Sequence, residues 1–344
     1  MAIATSYNVT STQGAREDLA NLLRMVEPMQ TPLFSTLKQS KAPKATLTEW
    51  LVDTVADPAI SGVIDGQDLD LFHVSVGSGA DFSDLINSRA RLGNRVQTIR
   101  RAYAVSRQAQ LVDVAPGENL MAASKAKALI ELKRDIETAI GSTNVSAAGS
   151  SSSGATMAGL GTWTDPTSTS APFGSATEQA FRSVAASRHD VSNASGLSES
   201  EFRTVLQTVY EASGSKGDFS LYAGPNIVNY VSDFSRAAVS NAAYSFDQDV
   251  SNGSIRLSVI EFVSDYGLVK VIPDLFLGRA AGAPGTAVPD ASYLIPNDDT
   301  VSLKFLENIV TENLPDLAAG PRAFVEAMLT LCVTNPRALG STVA

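Results

Sequence analysis

The chain has 344 residues, 26 Lys and Arg against 36 Asp and Glu, a formal net charge of -10, and only 2 His and 1 Cys. A single thiol, Cys332, excludes an internal disulfide framework, and with His73 and His189 it falls short of a Cys/His zinc site within one chain. Net acidity speaks against a dedicated nucleic-acid reader, which needs a basic stripe, but not against a protein that encloses nucleic acid.

No stretch reaches the ~18–20 apolar residues of a membrane span. Met1 to Thr12 is polar and carries no basic-then-apolar signal. The expectation is a soluble protein with no membrane association, made and used in the cytoplasm. With 18% charged residues and much Ala, Ser and Thr, its surfaces are weakly charged and suited to packing against other chains.

In chain order, Ala15 to Val26 places Leu19, Leu22, Leu23 and Val26 on one helical stripe, which Pro28 and Pro32 stop. A basic, small-residue tract from Lys38 to Lys44 follows. The segment reads equally as an arm laid on another surface or as a helix packed on its own domain. Thr46 to Val55 reads as a strand, with Leu47, Leu51 and Val55 on one side and Thr48, Trp50, Val52 and Thr54 on the other. Arg95 to Ser106 reads as a second strand. The Gly-punctuated stretch between them suggests a long hairpin, and an interior loop of that length points to a dedicated role.

The clearest helix runs from about 118 to 141. Leu129, Leu132, Ile136 and Ile140 share a face, Glu118 sits in the first turn, and Lys133 is spaced to pair with Glu137. A Ser-rich loop, the island Met157 to Trp163 and a second loop come next. Ser198 to Ser213 is a second helix with Ser198 and Glu201 in capping-box positions. Phe219 to Ala223 reads as a strand leading into a helical Pro225 to Phe234. Ser254 to Val263 and Leu268 to Ile272 flank the turn Ser264-Asp-Tyr-Gly267, with a phase slip in the first that suggests a bulge. Ala323 to Thr334 alternates as a strand, with Cys332 on its more polar face.

No nucleotide-binding, metalloprotease or nucleophile-elbow motif is present. His73 falls in the Gly-rich tip and His189 in a polar loop. The acid pairs Asp68/Asp70 and Asp298/Asp299 read as solvated loop charge. The expectation is a protein that is not an enzyme, with no catalytic, cofactor-binding or metal-ligating residues. The most uneven charge is in the second hairpin strand, where Arg89, Arg91, Arg95, Arg100, Arg101 and Arg107 occur without an intervening acid. Either this is a solvated polar hairpin, or it is a basic stem that meets acidic surface on a neighbouring subunit, where the planar guanidinium binds carboxylates in bidentate fashion.

The order of parts, amphipathic arm, long hairpin, long helix, mixed middle and alternating last strand, resembles the Hong Kong 97-type major capsid protein of tailed bacteriophages. Several stretches are similar to the SU-ten-type major head proteins: Thr31 to Phe34, Lys44 to Trp50, Asn94 to Ile99, Glu131 to Glu137, Met157 to Leu160 with Trp163, Ser264 to Val271, and Thr334 to Ala338. The resemblance implies an α+β fold with an N-terminal arm (1–45), an extended β-hairpin E-loop (46–106), a peripheral domain with a spine helix (107–197, helix 118–141), an axial domain (198–295) and a return to the peripheral domain (296–344). It implies a homo-oligomer of pentamers and hexamers closing an icosahedral head around double-stranded DNA. The location would be the virion, with assembly in the host cytoplasm. Portal, scaffolding and decoration proteins are the implied partners. The candidate inter-subunit contacts are the six arginines, Trp50, and Leu19, Leu22 and Leu23. The competing reading is another self-assembling subunit, of a surface layer or filament.

Overall fold

The computed structural model describes residues 30–53, 65, 89–112, 119–191, 196–214, 217–241, 261–280, 283, 285–286, 288–315 and 320–343. The expected stripe with Leu19, Leu22 and Leu23, the hairpin tip with His73, and the phase slip before Ile260 lie outside these residues.

The description begins with a short helix, α1 (Pro32–Thr36), whose first residue is a proline, the one residue with no N–H to leave unpaired there. Strands β1 (Lys38–Ser40), β2 (Leu47–Val52), β3 (Ala90–Arg95) and β4 (Gln97–Ala104) follow. After α2 (Arg107–Leu111) comes the long helix α3 (Leu120–Ile140), capped by Asn119, whose side-chain oxygen accepts from the N–H groups of Met121 and Ala122. Single turns α4 (Leu160–Trp163) and α5 (Ala176–Gln179) lead to β5 (Arg188–Asp190). Helix α6 (Glu199–Ser213) starts on the Ser198–Glu201 capping box and ends on Gly214 in the left-handed region. Then come β6 (Phe219–Ala223), α7 (Pro225–Asn241), β7 (Glu261–Ser264), β8 (Gly267–Pro273), β9 (Ser292–Pro296), β10 (Val301–Leu314), β11 (Arg322–Val333) and β12 (Gly340–Val343).

Three sheets result. One has the order β1-β10-β11-β4, a second β5-β12-β9-β6-β8-β7, and the third is the pair β2-β3. In the first, α3 lies against β4 and β11, and Leu132, Ile136 and Ile140 are fully buried with Leu303, Leu329, Leu331 and Val333. The second sheet packs with α6 and α7 in a separate core that includes Phe202, Leu206, Ile227, Val231, Phe219 and Val269. The expected turn at Ser264 joins β7 to β8, with Ser264 paired to Gly267. Gly267 has φ +147°, and a Cβ there would stand 1.9 Å from the carbonyl oxygen of Gly217, so only glycine fits. Among the described residues no helix is long and apolar enough to cross a membrane.

Two expectations are corrected. The strand expected at Arg95 to Ser106 is present as β4, but it does not pair with β2 in a hairpin; that partner is β3, which ends at Arg95. Residues 90–95 pair antiparallel with β2 in the register Leu47↔Arg95 to Val52↔Ala90, whereas 97–104 pairs with β11. The break falls at Val96, which is buried and donates its N–H to the Thr46 carbonyl at 2.8 Å. The second correction concerns Glu137. It does not meet Lys133 across one helical turn but is fully buried, with both oxygens bonded to the backbone at the start of α1.

Candidate functional site

The most fully bonded side chain at the root of the hairpin β2–β3 is Asn94. Asn94 is fully buried; its amide nitrogen donates to the carbonyls of Ala158 (3.1 Å) and Leu331 (2.8 Å), and its oxygen accepts from the N–H groups of Ala158 (2.8 Å) and Arg95 (2.9 Å). Both donors and both lone pairs of the amide are therefore used. Gln97 adds a bond from the N–H of Met157 at 3.1 Å. Two stretches that carry the family resemblance, Asn94 to Ile99 and Met157 to Trp163, thus meet in space. We expect Asn94→Ala to lower stability by about 2 kcal/mol, because it leaves buried backbone groups unpaired while water entering the small gap recovers part of the loss. A urea midpoint equal to that of the parent chain would contradict this.

Trp50 sits on the same root. It is half-buried, with its ring stacked on fully buried Trp163 (centroids 5.7 Å, planes 27° apart), and Trp163 in turn meets the edge of Phe173 at 5.4 Å. The Lys304 ammonium lies over the Trp50 ring at 5.9 Å. Leu51, on the opposite face of β2, is 71% exposed. The structure therefore places Trp50 against its own chain and turns the neighbouring Leu51 outward.

The six arginines separate into distinct environments. Arg89 pairs with Asp53 (2.8 Å) and Arg91 with Glu49 (3.5 Å), both across β2–β3 and both solvent-exposed, where such pairs contribute about 0–1 kcal/mol. Arg100 bonds Glu326 directly across the β4–β11 pair and lies over the Phe324 ring at 4.4 Å. Arg101 forks onto both oxygens of Asp135 on α3, and that bond pushes its pKa up. Arg95 and Arg107 make no ion pair among the described residues. The charges that looked like one basic stem are shared between the hairpin and the large sheet, and four of them already face carboxylates of the same chain.

Remaining candidates have local structural roles. Asp298 accepts from the Thr300 N–H, and Asp299 pairs with Lys38 at 2.5 Å. His189 belongs to strand β5 rather than to a loop, and its Nε2 is 3.6 Å from Glu201. Cys332 is buried, which pushes its thiol up and away from the reactive thiolate form. Among the described residues no group of three His, Cys, Asp or Glu side chains is placed to hold a metal ion.

Glu137 and Asp274 carry signals that sequence patterns do not expose. Burial pushes the Glu137 carboxyl up to about 9, with the Asp274 carboxylate adding to the rise and the two backbone N–H groups opposing it. Asp274 is likewise buried, on the loop after β8, and burial raises it too, against the N–H of Phe276.

No curated protein matches the chain significantly. Solved structures do match in fold. A cyanophage A-1(L) capsid asymmetric unit aligns with TM-score 0.68 at 12% identity, covering 97% of this chain and 98% of that one. A Gordonia phage Cozz structure aligns at TM-score 0.56 and 13% identity, over 99% and 96% of the two chains. An encapsulin complex from Synechococcus elongatus aligns at TM-score 0.53 and 12% identity, over 99% and 96%. At these identities the likeness establishes a fold shared by phage capsids and encapsulin, without choosing between them. The choice comes from the sequence: the SU10 major capsid protein family matches residues 4–343, and the chain therefore belongs to that family, as a major capsid protein of an icosahedral phage shell.

Proposed function

We propose that this subunit assembles into pentamers and hexamers that close a head around double-stranded DNA, with the hairpin as the part that reaches a neighbouring subunit. The family match along nearly the whole chain carries this reading. In it, residues 1–45 are an N-terminal arm, 46–106 an E-loop, 107–197 and 296–344 a peripheral domain whose spine is α3, and 198–295 an axial domain. Support for the hairpin's role comes from its construction: it is fastened at the root by Asn94 and Trp50, while Leu51, Arg89 and Arg91 are exposed. Arg95 and Arg107, together with Leu19, Leu22 and Leu23 of the arm, are the remaining candidates for contacts between subunits. A net charge of -10 keeps the shell from clinging to the polyanion it encloses. A portal, and scaffolding or decoration proteins, would complete the head, with assembly in the host cytoplasm.

The purified chain is expected to form closed shells in negative stain. Filaments, flat sheets or particles of subunit size under conditions that preserve the fold would overturn the assembly reading.

A further inference from the structure

The first described stretch of the chain is fastened to three other elements, and one of the fastenings is a buried carboxyl. Glu137 projects from α3 and accepts the N–H of Leu33 on Oε1 (2.6 Å) and of Phe34 on Oε2 (2.7 Å). These are the bonds that turn the chain at Pro32. Next to it, Asp274 takes the Phe276 N–H on Oδ1 at 2.9 Å, while its Oδ2 is buried with no N–H or hydroxyl donor among the described residues. Two buried carboxyls side by side cannot both ionise cheaply, and a proton held between them satisfies the orphaned oxygen. A groove of about 660 Å³, lined by Gln30, Asn229, Asp274 and Leu275, runs along the Asp274 side.

The other charged or titratable groups around the pair are few. Tyr222 of β6 bonds Thr36 at 2.5 Å and is itself pushed up by burial. Arg279 lies near Asp274 and over the Phe276 ring, with Arg134 of α3 over the same ring.

We propose that Glu137 and Asp274 form a proton-held clasp that fastens the start of α1 to α3 and to the loop after β8, and that loss of the shared proton opens it. With the proton in place, Glu137 presents acceptors to both N–H groups and a donor to Asp274. Without it, two carboxylates face each other, with the Leu33 and Phe34 N–H groups on one side and the Phe276 and Leu275 N–H groups and the Arg279 charge on the other. The repulsion is relieved when the loop after β8 or the segment 31–36 moves away and admits water. Glu137 binds its proton more tightly in the folded chain than in the unfolded one. Its contribution to stability is therefore fully present below the ordinary glutamate range, declines as pH rises above it, and is lost once pH passes about 9.

The clasp is tested by hydrogen exchange of the Leu33 and Phe34 amides in the full chain, corrected for intrinsic rate against the α3 amides. Their protection is expected to fall at least about tenfold relative to α3 between about pH 7 and about pH 10. Asp274→Asn keeps the shape and supplies a permanent donor to Glu137, so it should stay protected across that range. Glu137→Gln should lose part of the Phe34 protection at every pH and show no step. A flat parent profile, or a step of equal size in Asp274→Asn or Glu137→Gln, overturns the proposal. The measurement reads the subunit in any assembly state, so its outcome is separate from whether shells form.

Discussion

Reversing Arg100 to Glu is expected to destabilise the subunit itself, by about 3 kcal/mol, before assembly is affected. Arg100 faces Glu326 across β4 and β11, and the Glu326 side chain is only 6% exposed. Removing the cation strands a buried carboxylate, and placing a second carboxylate opposite it adds repulsion. Losing one partner of a fully buried pair costs about 3–5 kcal/mol. Water reaches Arg100, whose side chain is 56% exposed, so the effect belongs at the low end of that range. The contact with Phe324 is lost as well. The check is the urea midpoint of the isolated subunit. Adding Glu326→Gln to the same chain should restore much of the loss, since a neutral amide neither repels nor needs a cation. An unchanged midpoint for Arg100→Glu would sink this account.

Arg95→Glu and Arg107→Glu form the contrasting case. Neither arginine is ion-paired among the described residues; Arg107 is exposed, where a substitution shifts stability by no more than about 0.5 kcal/mol, and for half-buried Arg95 the cost stays at about 1 kcal/mol. A failure of shell formation in these variants, with the urea midpoint intact, would locate the inter-subunit contact there. The division of the six arginines depends on the strand break at Val96, and the sequence around it, Asn94 to Arg101, gives no hint of it. The residues on either side look alike in sequence, but one set pairs with β2 and the other with β11.

The helices were legible because their periodicity and caps are local. Leu132, Ile136 and Ile140 recur on one face of α3, and Ser198 with Glu201 marks the start of α6. Strands β6 and β11 were legible too, β11 from its alternation of apolar and polar residues. The longest strand, β10, was not. Its pairing with β11 shifts register between Phe305 and Glu307 and again between Glu307 and Val310, which breaks the period of two that a strand reading needs. Nor was the environment of Glu137. Spaced four residues from Lys133, it has the local signature of a surface ion pair. Its true partners, the N–H groups of Leu33 and Phe34, lie about a hundred residues earlier, and backbone donors leave no mark in a sequence. Asn94 falls between these cases: it lay inside a recognisable stretch, but three of its four bonds reach Ala158 and Leu331, which only the fold brings near.

Trp163→Ala is expected to have the largest effect of any single substitution considered, about 4 kcal/mol, with consequences for both the core and the hairpin. Trp163 is fully buried among Trp50, Phe173 and the α3 side of the first core. Its removal leaves a cavity that neighbours held by their own backbones cannot close, and the Trp50 ring loses the surface it stacks on. Since Trp50 lies on β2, the hairpin root loosens with it. Trp163→Phe should cost much less: it keeps most of the aromatic contact and removes an indole N–H that is buried without a partner among the described residues. These are the only two tryptophans in the chain, so their stacking has its own optical signature. The near-ultraviolet circular dichroism should contain a coupled indole signal that disappears on replacing either ring. If Trp163→Ala retained the parent urea midpoint, or if Trp50→Phe left that signal intact, the hairpin would not be seated through this pair.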